Sequence, residues 1–322
     1  MFKIQGLIKP KTESKSTGIV TNTRLTHGTP SALYAHSASR YWEDDSKMSD
    51  TVKATCKDIA RQLVEEDPGK NINVLLGGGR RHWIPNTEYD REARTEQGRR
   101  KDGKNLVDMW IKDKKDRDLH AEYVLNKAQF DEVDPRKTDY LLGLFGYSHL
   151  DFEADRNKGP SGDPSLAEMT QKAIQVLQRN PHGFFLMVEG GRIDHAHHHN
   201  NGKRALLEVG SLEDAVLTAL SLTSASETLT VVTADHSHVF TFGGENTPRG
   251  HPVAAGRLDH AHHYNMAERA LGEVISLEES VSAALKMINI KNTLIVVTSD
   301  HSHTLTFGGM NNPRGHPVLG GS

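Results

Sequence analysis

Histidine makes up 19 of the 322 residues, and many of these histidines stand beside aspartate in short runs. Glu189-Gly190-Gly191-Arg192-Ile193-Asp194 leads directly into His195, His197, His198 and His199. If Asp194 begins a helix, Asp194 and His198 are four residues apart and share one face, as two ligands of one metal ion require. His195, His197 and His199 leave the helix at other angles, so the rings do not serve a single ion as a set. Asp235-His236-Ser237-His238 repeats the pairing of carboxylate and imidazole. Oxygen and imidazole donors together suit zinc, and carboxylates also hold magnesium. Asp194, His198, Asp235 and His236 therefore read as a metal set. The competing reading is solvated polar residues or satisfied core histidines.

These groups need elements to hold them. The apolar run at residues 183–188 predicts a strand buried on both faces, which ends at Glu189. A second strand is expected at residues 228–233, ending just before Asp235. In an open α/β sheet the site forms beyond the carboxyl ends of such strands. Upstream, residues 16–21 and 72–76 read as strands, the latter running into Gly77-Gly78-Gly79-Arg80, and residues 140–145 form a third candidate. Helical spacing is visible at residues 56–66 and 105–127, and Pro164 is placed to open a helix over residues 165–178. Residues 85–104 read as a charged surface excursion. The mixed charges of residues 112–117 read as a solvated helix face.

Composition excludes several classes. With 39 Lys+Arg against 42 Asp+Glu, a net charge of -3 and a mean hydropathy of -0.57, the chain is neither collagenous, polybasic nor a membrane-spanning bundle. Its dispersed Lys and Arg argue against nucleic acid as a partner, because backbone binding needs a concentrated positive surface. The single cysteine, Cys56, permits no intrachain disulfide and reads as a small buried hydrophobe.

The sequence also repeats itself. Residues 191–253 align without a gap onto residues 256–318, with well over half of the positions identical. Asp194 maps to Asp259, His198 to His263, Asp235 to Asp300 and His236 to His301. Ala254 stands at the counterpart of Glu189, and no apolar strand precedes it. The second copy must therefore place its Asp/His helix from a loop, and two equivalent centres are not expected. The expected organisation is an atypical segment 1–15, a partial domain 16–253 and the duplicated block 256–318.

Several runs resemble the animal alkaline phosphatases: Thr26-His27-Gly28-Thr29-Pro30-Ser31-Ala32, Tyr34-Ala35-His36-Ser37-Ala38, Gly77-Gly78-Gly79-Arg80, Asp163-Pro164-Ser165-Leu166, the segment from Glu189 to His195, and the segment from Thr233 to Gly244. They cover about residues 16–249. The resemblance implies an α/β fold with a mostly parallel central sheet and flanking helices. It also implies a homodimer, Zn2+ and Mg2+ as cofactors, and hydrolysis of phosphate monoesters at alkaline pH. By the same resemblance Thr29 and Glu189 are magnesium ligands, and Asp194 and His198 bind the zinc that activates water. Asp235 and His236 bind the zinc beside the nucleophile, His27 stands near the magnesium shell, and Arg40 clamps the phosphoryl oxygens. Glu88, Phe145 and Asp163 resemble parts of an additional Ca2+ site, with Gly146 where many members carry a carboxylate.

The pattern is incomplete. The family's nucleophile segment, an aspartate shared by two metals and a late histidine match no residue of this sequence, so those three roles are unassigned. The enzyme reading therefore stands beside two others: an inactive zinc- or phosphate-binding relative, and an unstable incomplete fragment. The resemblance implies an extracellular or plasma-membrane location. In contrast, residues 1–10 hold too short an apolar stretch for a secretory signal, and residues 320–322 form no hydrophobic anchor.

Overall fold

A computed structural model describes residues 15–236 and 238. The chain divides into two compact units, residues 1–230 and residues 231–322, and each is treated by itself. The first unit contains strands β1 (Ser16–Arg24), β2 (Val74–Gly78), β3 (Ala121–Val124), β4 (Tyr140–Gly146) and β5 (Phe184–Glu189). Its helices are α1 (Gly28–Ser31), α2 (Asp50–Lys53), α3 (Ile59–Glu65), α4 (Leu106–Asp116), α5 (Lys127–Glu132), α6 (Leu166–Leu177), α7 (Arg192–His198) and α8 (Gly202–Leu222). Among the described residues the sheet order is β3-β4-β2-β1-β5, and every pairing is parallel. The mostly parallel sheet with flanking helices is thus as expected.

Alternation along β1 shows how the layers form. Ile19 and Val20 are both fully buried, yet Ile19 belongs to a core with Leu63, Trp83 and Trp110, whereas Val20 packs with Leu76, Met169 and Leu177. Neighbouring side chains on a strand point to opposite faces, so β1 divides two cores. Helices α3 and α4 supply apolar side chains to one, and α5, α6 and Ala215 of α8 to the other. Helix α6 begins with a capping box: Ser165 accepts from the Glu168 amide, and the Glu168 carboxylate accepts from the Ser165 amide at 2.7 Å. Ser165, not Pro164, is therefore the residue that sets this start.

Several expectations are corrected. The strand expected at residues 228–233 is absent: those residues form no strand among the described ones, and Leu229, Val231 and Val232 are exposed. A strand needs a paired neighbour, and none is present there among the described residues. Strand β5 is half-buried along its length because, among the described residues, it pairs only with β1. The apolar stretch at residues 105–127 is not all helical, since it turns after α4 and supplies β3. Cys56 is exposed. Lys114, placed on a solvated face by its charge, is buried; its ammonium donates to the Lys70 carbonyl at 2.7 Å and lies over the Tyr140 ring. The excursion at residues 85–104 also contributes inward, through Asp90 paired to Arg80 and Arg100 paired to Asp58.

Candidate functional site

Because the strands are parallel, their carboxyl ends lie along one edge of the sheet. In register, Thr21 of β1 sits beside Glu189 of β5, and Gly78 of β2 beside Gly146 of β4. The Thr21 hydroxyl donates to Glu189 Oε2 at 2.6 Å, and the Thr23 hydroxyl donates to the same oxygen at 3.2 Å. Helix α1, carrying Thr29, follows β1, and helix α7, carrying Asp194 and His198, follows β5. Two glycines shape the neighbouring edge. Gly79 has φ +101°, a backbone state costly for other residues, and a Cβ on Gly78 would collide with the Ser148 carbonyl. That close approach lets residues 147–149 fold back over the strand ends, where the Leu150 amide donates to the Asn22 carbonyl at 3.1 Å.

The fold-back brings His149 against His27 and His195. The ring centroids are 5.2 Å apart for His27 and His149, 5.6 Å for His27 and His195, and 4.5 Å for His149 and His195. One nitrogen of each ring lies within 4.8 Å of one nitrogen of each of the others. An arginine touches every ring: Arg24 Nη1 reaches His149 Nε2 at 2.5 Å, Arg40 Nη2 reaches His27 Nε2 at 3.4 Å, and Arg192 Nη1 reaches His195 Nδ1 at 3.0 Å. Burial first, then Arg24 and Arg40, lowers the pKa of His27 to about 4. Burial and Arg192 lower that of His195 to about 4, and burial and Arg24 move His149 downward as well. All three rings are neutral near pH 7. Arg24 is held by Glu43, with Nε to Oε2 at 2.7 Å and Nη2 to Oε1 at 2.8 Å.

Asp194 and His198 share one face of α7, as their spacing predicts, with His198 Nε2 at 3.4 Å from Asp194 Oδ1. His27 stands beside the proposed clamp Arg40. The calcium candidates are engaged separately. Glu88 Oε2 accepts from Asn105 Nδ2 at 2.9 Å, the Phe145 carbonyl accepts from Arg80 Nη1 at 2.6 Å, and burial together with Asp151 raises Asp163 to about 6. Asp235 and His236 lie in the second unit, where His236 Nε2 is 3.6 Å from Asp235 Oδ2. Asp259, His263, Asp300 and His301 lie outside the described residues. Sequence reasoning missed His149, Arg24, Glu43 and Arg192. The fold-back at residues 147–149 leaves no periodic signal, whereas a charge at the end of a buried strand was visible for Arg24.

A parallel sheet flanked by helices, with carboxylate, hydroxyl and imidazole groups gathered at its carboxyl edge, defines an α/β protein with a candidate site at its strand ends. The alkaline phosphatase family model matches residues 7–254 and, separately, residues 251–321, and the chain belongs to that family. It is 52% identical over 248 residues to the tissue-nonspecific alkaline phosphatase of Gallus gallus, covering 76% of this chain and 46% of that protein. It is 49% identical over 247 residues to an alkaline phosphatase of Gadus morhua, covering 76% and 50%. The chain thus spans about half the length of the curated relatives it matches. The solved structure of alkaline phosphatase from the Antarctic bacterium TAB5 is similar in fold, with a TM-score of 0.53 and 22% identity over 75% of this chain and 59% of that one.

Proposed function

We propose that this chain supplies part of a metal-dependent site for hydrolysing phosphate monoesters at alkaline pH. The observation that carries this reading is the register of β1 and β5, which sets Glu189 at the sheet edge immediately before α7 with its Asp194–His198 pair. The donor chemistry fits the ions. A carboxylate backed by threonine hydroxyls suits magnesium, with Thr29 as the further oxygen ligand, and the carboxylate–imidazole pair on α7 suits zinc. Asp235 and His236 are the proposed second zinc pair. When bound, such ions stabilise the attacking and leaving oxygens of an in-line displacement. Arg40, through its planar guanidinium, orients two nonbridging phosphoryl oxygens.

The Phe145 carbonyl of the calcium candidates already accepts from Arg80 Nη1 at 2.6 Å, which leaves it one lone pair for a cation. The proposed assembly is a homodimer. Among the described residues no helix is long and apolar enough to cross a membrane. No residue of this chain is assigned as the nucleophile.

The test is hydrolysis of a chromogenic phosphate monoester at alkaline pH by the purified chain with zinc and magnesium, beside the Asp235→Ala/His236→Ala double variant. Turnover lost in the double variant supports metal-dependent catalysis. Equal rates for the two folded, metal-loaded proteins overturn it for the isolated chain.

A further inference from the structure

Helix α7 carries the Asp194–His198 pair but has no side chain of its own to hold its start. Its N-cap is Gly191, with no side-chain cap bond, and a helix of seven residues is marginal without outside support. The acceptor comes from β1 instead. Asn22 Oδ1 accepts from the amide of Arg192, the first residue of α7, at 3.1 Å. Asn22 stands between Thr21 and Thr23, whose hydroxyls hold Glu189, so three consecutive side chains of β1 tie down both Glu189 and the helix that follows it.

Asn22 serves α7 in one orientation only. Its amide offers a carbonyl at one end and an NH2 at the other, and what lies opposite decides which end turns to Arg192. The group opposite is Glu208 of α8, a carboxylate in a residue only 1% exposed. Glu208 Oε2 accepts from Asn22 Nδ2 at 2.9 Å, and Oε1 accepts from the Glu153 amide at 2.6 Å. A carboxylate only accepts, so it takes the NH2 of Asn22 and leaves the carbonyl for Arg192. The Arg192 guanidinium is directed elsewhere: it stacks on Phe152, 3.7 Å from the ring centroid, and reaches His195 Nδ1. Helix α8 also lies close against the turn that leads into α7, since a Cβ added at Gly190 would stand 3.3 Å from Leu212 Cβ.

We infer that Glu208 is a positioning residue of the proposed metal site: by orienting Asn22 it caps α7 from outside and fixes the helix that presents Asp194 and His198. The role given to α7 rests on the hydrolytic reading, whereas the cap is a property of the metal-free chain. The two therefore fail separately.

The experiment exchanges donor for acceptor along this chain of bonds. Glu208→Gln keeps the shape but brings an NH2. The Glu153 amide is backbone and cannot turn, so it retains the carbonyl of the new side chain, and Asn22, the freer group, meets a donor and loses its orientation. Asn22→Asp alone opposes two carboxylates. The double change Glu208→Gln/Asn22→Asp restores every bond, because the new amide donates to the new carboxylate, which keeps an oxygen for the Arg192 amide. Two quantities are read on the full chain: hydrogen exchange of the Arg192 amide without metal, and zinc affinity by competition with a chromophoric chelator, beside His198→Ala. Glu208→Gln should speed the exchange and weaken zinc binding, each about tenfold or more, and the double variant should return both to within about threefold of wild type. Glu213→Gln, at an exposed acid of α8, should match the wild type. Circular dichroism establishes folding, and if Glu208→Gln does not fold, Asn22→Ala, which leaves the acid and removes the cap, carries the exchange comparison.

Unchanged exchange in a folded single variant overturns the inference, as does a double variant no better than Glu208→Gln, since a role in filling space alone would give no rescue. Zinc affinity that falls in His198→Ala but not in Glu208→Gln overturns it as well. Zinc affinity indifferent to His198→Ala removes the metal reading of α7, and the exchange rates then decide the cap by themselves.

Discussion

The hydroxyl of fully buried Thr21 donates to Glu189 Oε2 at 2.6 Å, and the two residues are register partners across β1 and β5. The bond ties the proposed magnesium carboxylate to the strand that divides the two cores. Replacing Thr21 with Val keeps the shape and removes the donor. The expected loss is about 1–3 kcal/mol of stability, read by urea unfolding of the metal-free chain, together with weaker magnesium binding. Unchanged values of both would show that Glu189 is positioned by other contacts.

A second prediction concerns Arg100, which is fully buried and donates from Nη1 and Nη2 to Asp58 and from Nη2 and Nε to Asp102. Asp58 is also buried, and its Oδ1 caps α3 by accepting from the Arg61 amide at 2.9 Å. Arg100→Met should cost about 3–5 kcal/mol, because a buried carboxylate loses its counterion. The double change Arg100→Met/Asp58→Asn should recover part of that loss. A single variant within about 0.5 kcal/mol of wild type would rule out this account.

The pH dependence of stability should carry the mark of His82 and Asp44. Burial, outweighing Asp44 and Glu43, lowers the pKa of His82 below 6.5 in the folded state. The unfolded chain then binds more protons, so stability falls as pH drops through about 6.5. Asp44 is pushed up by burial but is brought down more strongly by the His82 ring and the Ser46 amide, from 3.8 to about 2. Its contribution is complete above 3.8 and is lost as pH falls towards about 2. Urea midpoints of the metal-free chain should therefore decline from neutral pH downward, with His82→Gln flattening the upper part of that decline. Superimposable curves for wild type and variant would contradict the assignment.

Zinc binding supplies the fourth prediction. His198→Ala should lower zinc affinity by about tenfold or more, measured by competition with a chromophoric chelator. His197→Ala should have a much smaller effect, since His197 Nδ1 is directed at the Ile193 carbonyl at 2.8 Å. Equal effects of the two substitutions would mean that α7 does not present Asp194 and His198 as the ligating face.

Local pattern made much of this legible. The Asp194–His198 pair follows from helical spacing alone, and β2, β4 and β5 follow from apolar runs bounded by turn residues. Lys114 was misjudged because charge patterning records what a residue carries and not what its stem covers; the ammonium is buried with a carbonyl, an acid and two aromatic rings around it. His149 was invisible for a different reason. Its place depends on Gly78 admitting the Ser148 carbonyl, a contact between segments some seventy residues apart. The strand expected at residues 228–233 is not formed because an apolar run specifies a strand only where a partner pairs with it, and among the described residues none does.

The pairing of Ser16 with Phe184 and of Thr21 with Glu189 has a consequence for biosynthesis. During translation β1 emerges long before its outer neighbour, and at ordinary elongation rates the wait is on the order of ten seconds. In that interval β1 can pair with β2, but its other side has no native partner, and the loop that must then close is long. The nascent chain thus exposes a sticky strand until the ribosome has passed Glu189. That interval is a natural window for chaperone engagement, and it ends with synthesis of the segment that begins the proposed metal site.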